Sequence, residues 1–218
     1  MKNGAAGPEL FAALGHRVHS GWAAMVAVAG PLAQPVIVDR RRIELVECQA
    51  REYLQPYHAA AELDLGEAEP FIKLCFATSR SIAIRALGTV IERLRKDGYR
   101  MAGCGILLSS GRPSADLGGV LRSHAMIHTA EGHFFREALQ DACRHHGLAI
   151  TAVRERELHA RASAELGAPQ EELQRKVAEL GRTLGPPWTQ DQKCAALVAC
   201  LALAAQGRSL EDSKTAAR

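Results

Sequence analysis

The chain has 218 residues, 47% hydrophobic and 23% charged, with a formal net charge of +3 and an isoelectric point near 8.6. That balance excludes a disordered or fibrous chain, and at this length one domain can bury roughly 70% of the surface that an unfolded chain exposes. The small excess of positive charge suits a nucleic-acid partner without requiring one.

The six cysteines are scattered with no C-x-x-C pair and read as reduced thiols of a cytoplasmic protein. In chain order, residues 1–10 read as a loose leader, 11–206 as a single domain and 207–218 as a polar tail. Residues 15–29 predict one long strand with Gly21 as a bulge. The apolar run 22–29 within it is too short, behind too mixed a leader, to be a secretory signal. Residues 36–38 and 43–46 then read as a hairpin about a charged turn, giving three consecutive strands. Residues 48–70 read as a connector whose acids, Glu62, Asp64, Glu67 and Glu69, form a solvated loop; His58 beside them is a weak metal signal.

Residues 71–96 have helical periodicity, with Ala83, Leu87, Val90 and Leu94 on one stripe and Asp97-Gly98 as the stop. No run approaches the eighteen or so apolar residues of a membrane-spanning helix, and no membrane partner is expected. Residues 99–110 predict a strand buried on both faces, and a glycine-containing loop then leads into one long helix over 114–147. A fifth strand over 148–153, two helical pieces over 155–167 and 169–184, and a strongly apolar helix over 189–205 complete the chain. The order β-β-β-α-β-α-β-α-α predicts an α/β fold: a mixed five-stranded sheet, begun by a three-strand meander, with helices on both faces.

The helix over 114–147 carries the first candidate site. Val120, Ile127, Phe134 and Ala138 form its apolar stripe. His124 and Glu131 share that stripe and His128 lies one turn from His124, so three titratable groups project from one face. His124, His128 and Glu131 together offer two imidazoles and a carboxylate to a divalent transition metal. The same spacing also serves a buried, hydrogen-bonded Glu–His element. His133, His145 and His146 fall on the exposed side or the end of the helix, where the last two favour its dipole. Candidate nucleic-acid contacts are Arg40, Arg41, Arg42 and the loop residue Arg112. The runs Arg93, Arg95, Lys96, Arg100 and Arg154, Arg156, Arg161 read as solvated surface.

Three local patterns carry a resemblance. They are V-H-S-G and the small apolar residues after it (18–28), A-E-G-H-F-F-R-E-A-L followed by G-L-A-I-T-A-V (130–139 and 147–153), and D-Q-K-C-A-A-L-V-A (191–199). With the element order, they make the chain similar to the ribonuclease H-like superfamily, in particular to the bacterial Holliday-junction resolvases. The resemblance implies carboxylates on the first strand, at the end of the fourth and on the last helix, binding two divalent metals that orient water and stabilise a phosphodiester transition state. Those positions fall here on or beside His19, near Ser109, and on Asp191 and Cys194. Only Asp191 is an acid, and magnesium prefers hard oxygen ligands.

The expected catalytic set is therefore His19, Ser109, Glu131 and Asp191, meeting at strand ends where clefts form in such sheets. A serine hydrolase is disfavoured, because no G-x-S-x-G elbow is present. The leading expectation is a binding module for a nucleic acid or a protein partner that has lost the usual acidic centre. Two alternatives stand beside it: a metal-assisted phosphodiester hydrolase using His124, His128, Glu131 and Asp191, and a structural subunit whose last helix, over 195–205, packs against a second copy.

Overall fold

The computed structural model describes residues 10–48, 50–111, 114, 116–182 and 184–216, with side chains to residue 208. Residues 1–9 of the expected leader and Arg112 lie outside the described residues. Five strands, β1 (Leu10–His19), β2 (Trp22–Ala29), β3 (Val36–Glu44), β4 (Tyr99–Leu108) and β5 (Ile150–Arg154), form one sheet in the order β3-β2-β1-β4-β5. β1, β2 and β3 are antiparallel neighbours, and β4 and β5 run parallel to β1. The mixed sheet, opened by a meander, is the predicted one.

Its strand boundaries differ from expectation: β1 begins at Leu10, inside the expected leader, and two stretches divide differently. The run 15–29 is not one strand but two, folded back at Ser20-Gly21, where Gly21 adopts φ +78°. A Cβ there would stand 2.4 Å from Leu54 Cδ2, so the turn needs glycine for both its backbone and its neighbour. Conversely, 36–44 is a single strand with no turn at its arginines. β3 is a sheet edge, where charged residues are tolerated along one strand.

On one face of the sheet lie α3 (Leu65–Lys96) and α5 (His124–His145), with the short α1 (Arg51–Leu54), α2 (Pro56–Ala60) and α4 (Leu117–Leu121) around them. α3 begins six residues before the predicted start, with Asp64 as its N-cap residue and Pro70 inside it. A proline that early removes one backbone bond without ending the helix. The acidic stretch is therefore largely a helix start, with Glu69 paired to Lys73 at 2.6 Å. Contrary to the expectation that no run comes near a membrane span, α3 is long and apolar enough to cross a membrane by length and composition. Its stripe Ala83, Leu87, Val90 and Leu94 is buried against the sheet side instead. The helix expected over 114–147 is broken: Gly118-Gly119 weaken its first turns, and the backbone at Ser123 is extended (φ −125°, ψ 110°) before α5 begins.

On the other face, a 3-10 turn (Glu155–Glu157), α6 (Leu158–Leu166), α7 (Gln170–Leu180) and α8 (Gln190–Ala216) cover the sheet. α8 continues past Gly207, where a polar tail was expected. It lies directly on the strand backbones. A Cβ on Gly15 would come within 1.9 Å of Ala195 O, and one on Gly105 within 2.3 Å of Val198 O. Residues Ala195 through Ala204 are all buried in the chain's own core. The expectation that this stretch packs against a second copy is thus corrected: its small side chains serve a close helix–sheet seam.

Candidate functional site

α5 starts at His124, so His124 and His128 stand one turn apart and exposed on the same side of the helix. The third imidazole comes from α2. His58 brings its ring to 4.9 Å from that of His128 and 5.6 Å from that of His124, centroid to centroid, while His124 and His128 are 4.4 Å apart. One ligand atom from each of the three lies within 4.8 Å of the others.

Glu131 does not complete the set with His124 and His128 as expected. Its Oε1 accepts the backbone N–H groups of Tyr57 at 2.8 Å and His58 at 3.2 Å, and stands 3.4 Å from His58 Nδ1. The carboxylate is spent holding the first turn of α2 in place, which is why the third partner of the two helix histidines is His58. Glu131 is only 7% exposed, and burial pushes its carboxyl up to about 7 against the pull of those two N–H groups. The His58 imidazole is held below its ordinary value by burial, then by His124 and Arg51.

His128, Glu131 and Gly132 form one wall of a pocket of about 250 Å³ whose other lining includes His19, Ser20 and Arg136. Arg136 reaches from α5 to the carboxyl ends of β1 and β4, donating from Nε to Leu107 O at 3.0 Å, from Nη2 to Val18 O at 3.4 Å, and to Gly132 O. His19 stacks on Trp22 at 4.4 Å and places Nε2 3.2 Å from Asp191 Oδ2. Arg17, two residues earlier on β1, binds Asp191 Oδ1 and Glu155 Oε1, each at 2.5 Å.

Of the expected catalytic set, His19 and Glu131 line this pocket and Asp191 joins it through His19. Ser109 lies beside Gly132, where a Cβ would sit 3.8 Å from Ser109 Oγ, and that oxygen has no hydrogen-bond partner among the described residues. Cys194 is buried and accepts from Gln190 Nε2 at 3.3 Å; burial raises its thiol. A pair of divalent metals needs several free carboxylate oxygens. Here the one carried-over acid is neutralised by Arg17 and faced by His19, so the residues present do not fit that group, and no hydrolytic step follows from Asp191.

The arginine triplet is not one patch, because successive strand residues point to opposite faces. Arg40 caps the 184–187 loop, donating to Gly185 O and Leu184 O at 3.0 Å. Arg41 pairs with Asp39 at 2.7 Å, an acid that Arg93 also holds at 2.9 Å. Arg42 pairs with Glu44 and lies over Trp22, 4.0 Å from the ring centroid. His146 also departs from its expected dipole role, since its Nε2 donates to Ile84 O at 2.8 Å and ties α5 to α3.

No protein-family model matches the chain, and no curated protein matches it. Among solved structures, it is similar to Thermus thermophilus RuvC at 11% identity and a TM-score of 0.52, over 90% of this chain and 96% of that one. It is also similar to T. thermophilus RuvC in complex with Holliday junction substrate, at 10% identity and a TM-score of 0.47, over 87% and 90% of the two chains. The chain has the ribonuclease H-like fold expected from its element order.

Proposed function

We propose that this chain is a nucleic-acid-binding module built on a ribonuclease H-like fold, in which guanidinium and imidazole groups stand where that fold's nucleases place metal-binding acids. The observation that carries the reading is Arg136: a half-buried guanidinium at the carboxyl ends of β1 and β4, lining a pocket shared with His19 and His128. A guanidinium there offers a phosphate oxygen the positive charge that a metal ion would otherwise bring. His19 stacked on Trp22, with Arg42 over the same indole, adds a flat cationic rim of the kind on which bases stack. Six free cysteines suit a reducing, cytoplasmic setting for this activity.

The test is anisotropy titration of labelled four-way, single-stranded and duplex DNA and of RNA over a range of salt. Binding by phosphate contact makes log K fall linearly with log salt, with a slope of about −0.9 per contacted phosphate on duplex DNA. Absence of binding to every probe at low salt overturns the reading. Cleavage of any probe that depends on magnesium overturns the claim that the acidic centre is lost.

A further inference from the structure

We propose that His58, His124 and His128 form a mononuclear site for a zinc-class transition-metal ion, with a fourth position left to water or an anionic oxygen. Three imidazoles on one tetrahedral ion, with metal–nitrogen bonds of about 2.0–2.1 Å, have ring centroids roughly 5 Å apart. The three separations here are 4.4, 4.9 and 5.6 Å, with interplanar angles of 67° to 89°. The rings meet edge to face rather than stacking, and one ligand atom of each lies within 4.8 Å of the other two.

A pair of surface histidines one helical turn apart is common and by itself indicates nothing. The third member changes this, because it arrives from another element and is held there by a dedicated group. Glu131 accepts the successive backbone N–H groups of Tyr57 and His58 and stands against His58 Nδ1. A carboxylate on one ring nitrogen sets the tautomer and leaves the other, Nε2, as the metal ligand. Glu131 is 93% buried, and its Oε2 finds no hydrogen-bond partner among the described residues. A carboxyl so placed is costly unless it has a task. Among the described residues, neither His124 nor His128 makes a side-chain hydrogen bond, so both rings keep a ligand nitrogen available.

Imidazole nitrogens suit zinc, copper, cobalt or nickel and not magnesium. The site is therefore a different one from the acidic pair of metals the fold family uses, in ligand chemistry and in the elements that supply it. His128 and Glu131 also line the pocket that holds Arg136. An ion bound here borders a cationic cavity, so the ligand class for its open position is an oxyanion such as a phosphate monoester.

The experiment uses the full chain stripped with a chelator, titrated calorimetrically with Zn²⁺ and spectroscopically with Co²⁺. One equivalent of Zn²⁺ binds, and Co²⁺ gives the intense visible absorption of a tetrahedral site. His58→Ala, His124→Ala and His128→Ala each weaken binding by at least about tenfold, Glu131→Gln weakens it about 10- to 100-fold, and His133→Ala, on the same helix, leaves it unchanged. Stoichiometry below about 0.1 equivalent overturns the proposal. So does unchanged affinity in His58→Ala, since the ion would then be held by the helix pair alone. His58→Gln, with circular dichroism of each variant, separates loss of the ligand from loss of α2.

Discussion

Arg17 on β1 and Asp191 in the first turn of α8 meet through an Nη1–Oδ1 contact of 2.5 Å. The same guanidinium holds Glu155, just after β5, so three elements are pinned by one cation at the open end of the sheet. Arg17 and Asp191 are each about a quarter exposed, at 23% and 24%, which places their pairing between a surface bridge and a buried one. Arg17→Met is expected to lower unfolding free energy by about 1–3 kcal/mol and Asp191→Asn by a similar amount. The double variant should cost clearly less than the sum, as measured by urea denaturation in a double-mutant cycle. Additive losses would show that the two residues act separately.

The seam between α8 and the sheet predicts a sharp contrast between glycines. Gly15→Ala drives a Cβ to 1.9 Å from a backbone oxygen that cannot yield alone. Loss of more than about 3 kcal/mol, or failure to fold, is expected from such overpacking. Gly66→Ala, in α3 with nothing within 4 Å of the added methyl, should stabilise by about 0.5–1 kcal/mol through helix propensity. Thermal melts of the two variants provide the comparison.

His16 supplies a pH dependence. It is fully buried in β1, with Nδ1 3.3 Å from Cys104 Sγ and Nε2 unpaired among the described residues. Burial lowers its pKa to about 4, so the folded chain releases this proton more readily than the unfolded one, whose histidine titrates near 6.5. The stability tied to the neutral ring is fully present above about pH 6.5 and is lost as pH falls towards 4, a change of order 3 kcal/mol. His16→Met should flatten the stability curve in that window relative to the parent. Parallel curves for the two proteins between pH 4 and 7 would contradict the assignment.

Arg136 links the fold to the proposed function. Arg136→Gln is expected to weaken nucleic-acid binding at least about tenfold and to reduce the salt slope by about 1, the signature of one lost phosphate contact. Arg136→Lys, which keeps the charge but not the fork, should recover part of the affinity with the slope restored. An unchanged slope in the glutamine variant would remove this residue from the interface.

Much of the architecture could be read from the residues, because the strands and long helices are marked by runs of apolar side chains. The strand breaks could not. β1 and β2 are both buried on both faces, so hydrophobicity does not change across Ser20-Gly21, and only the glycine marked the turn. Asp39 to Arg42 looked like a turn because charge usually signals solvent; at a sheet edge the same charges cap a neighbouring loop and pair with acids. The histidine pair of α5 was visible at its four-residue spacing, whereas its third partner was hidden in a presumed connector. The available signal was Pro56, a residue suited to the first position of a helix, which turns the stretch around His58 into a short α-helix packed on α5.

The glycine seam also divides the pocket into two walls of unequal stiffness. Because α8 rests against the strands atom to atom, Asp191 cannot advance or retreat without the entire rod sliding along the sheet, and the side of the cavity that carries His19 is a fixed template. The opposite side is built from His128, Glu131, Gly132 and Arg136 of α5, and Glu131 ties it to the five-residue α2 behind it. A guest that presses on Glu131 therefore presses on the short helix it anchors as well.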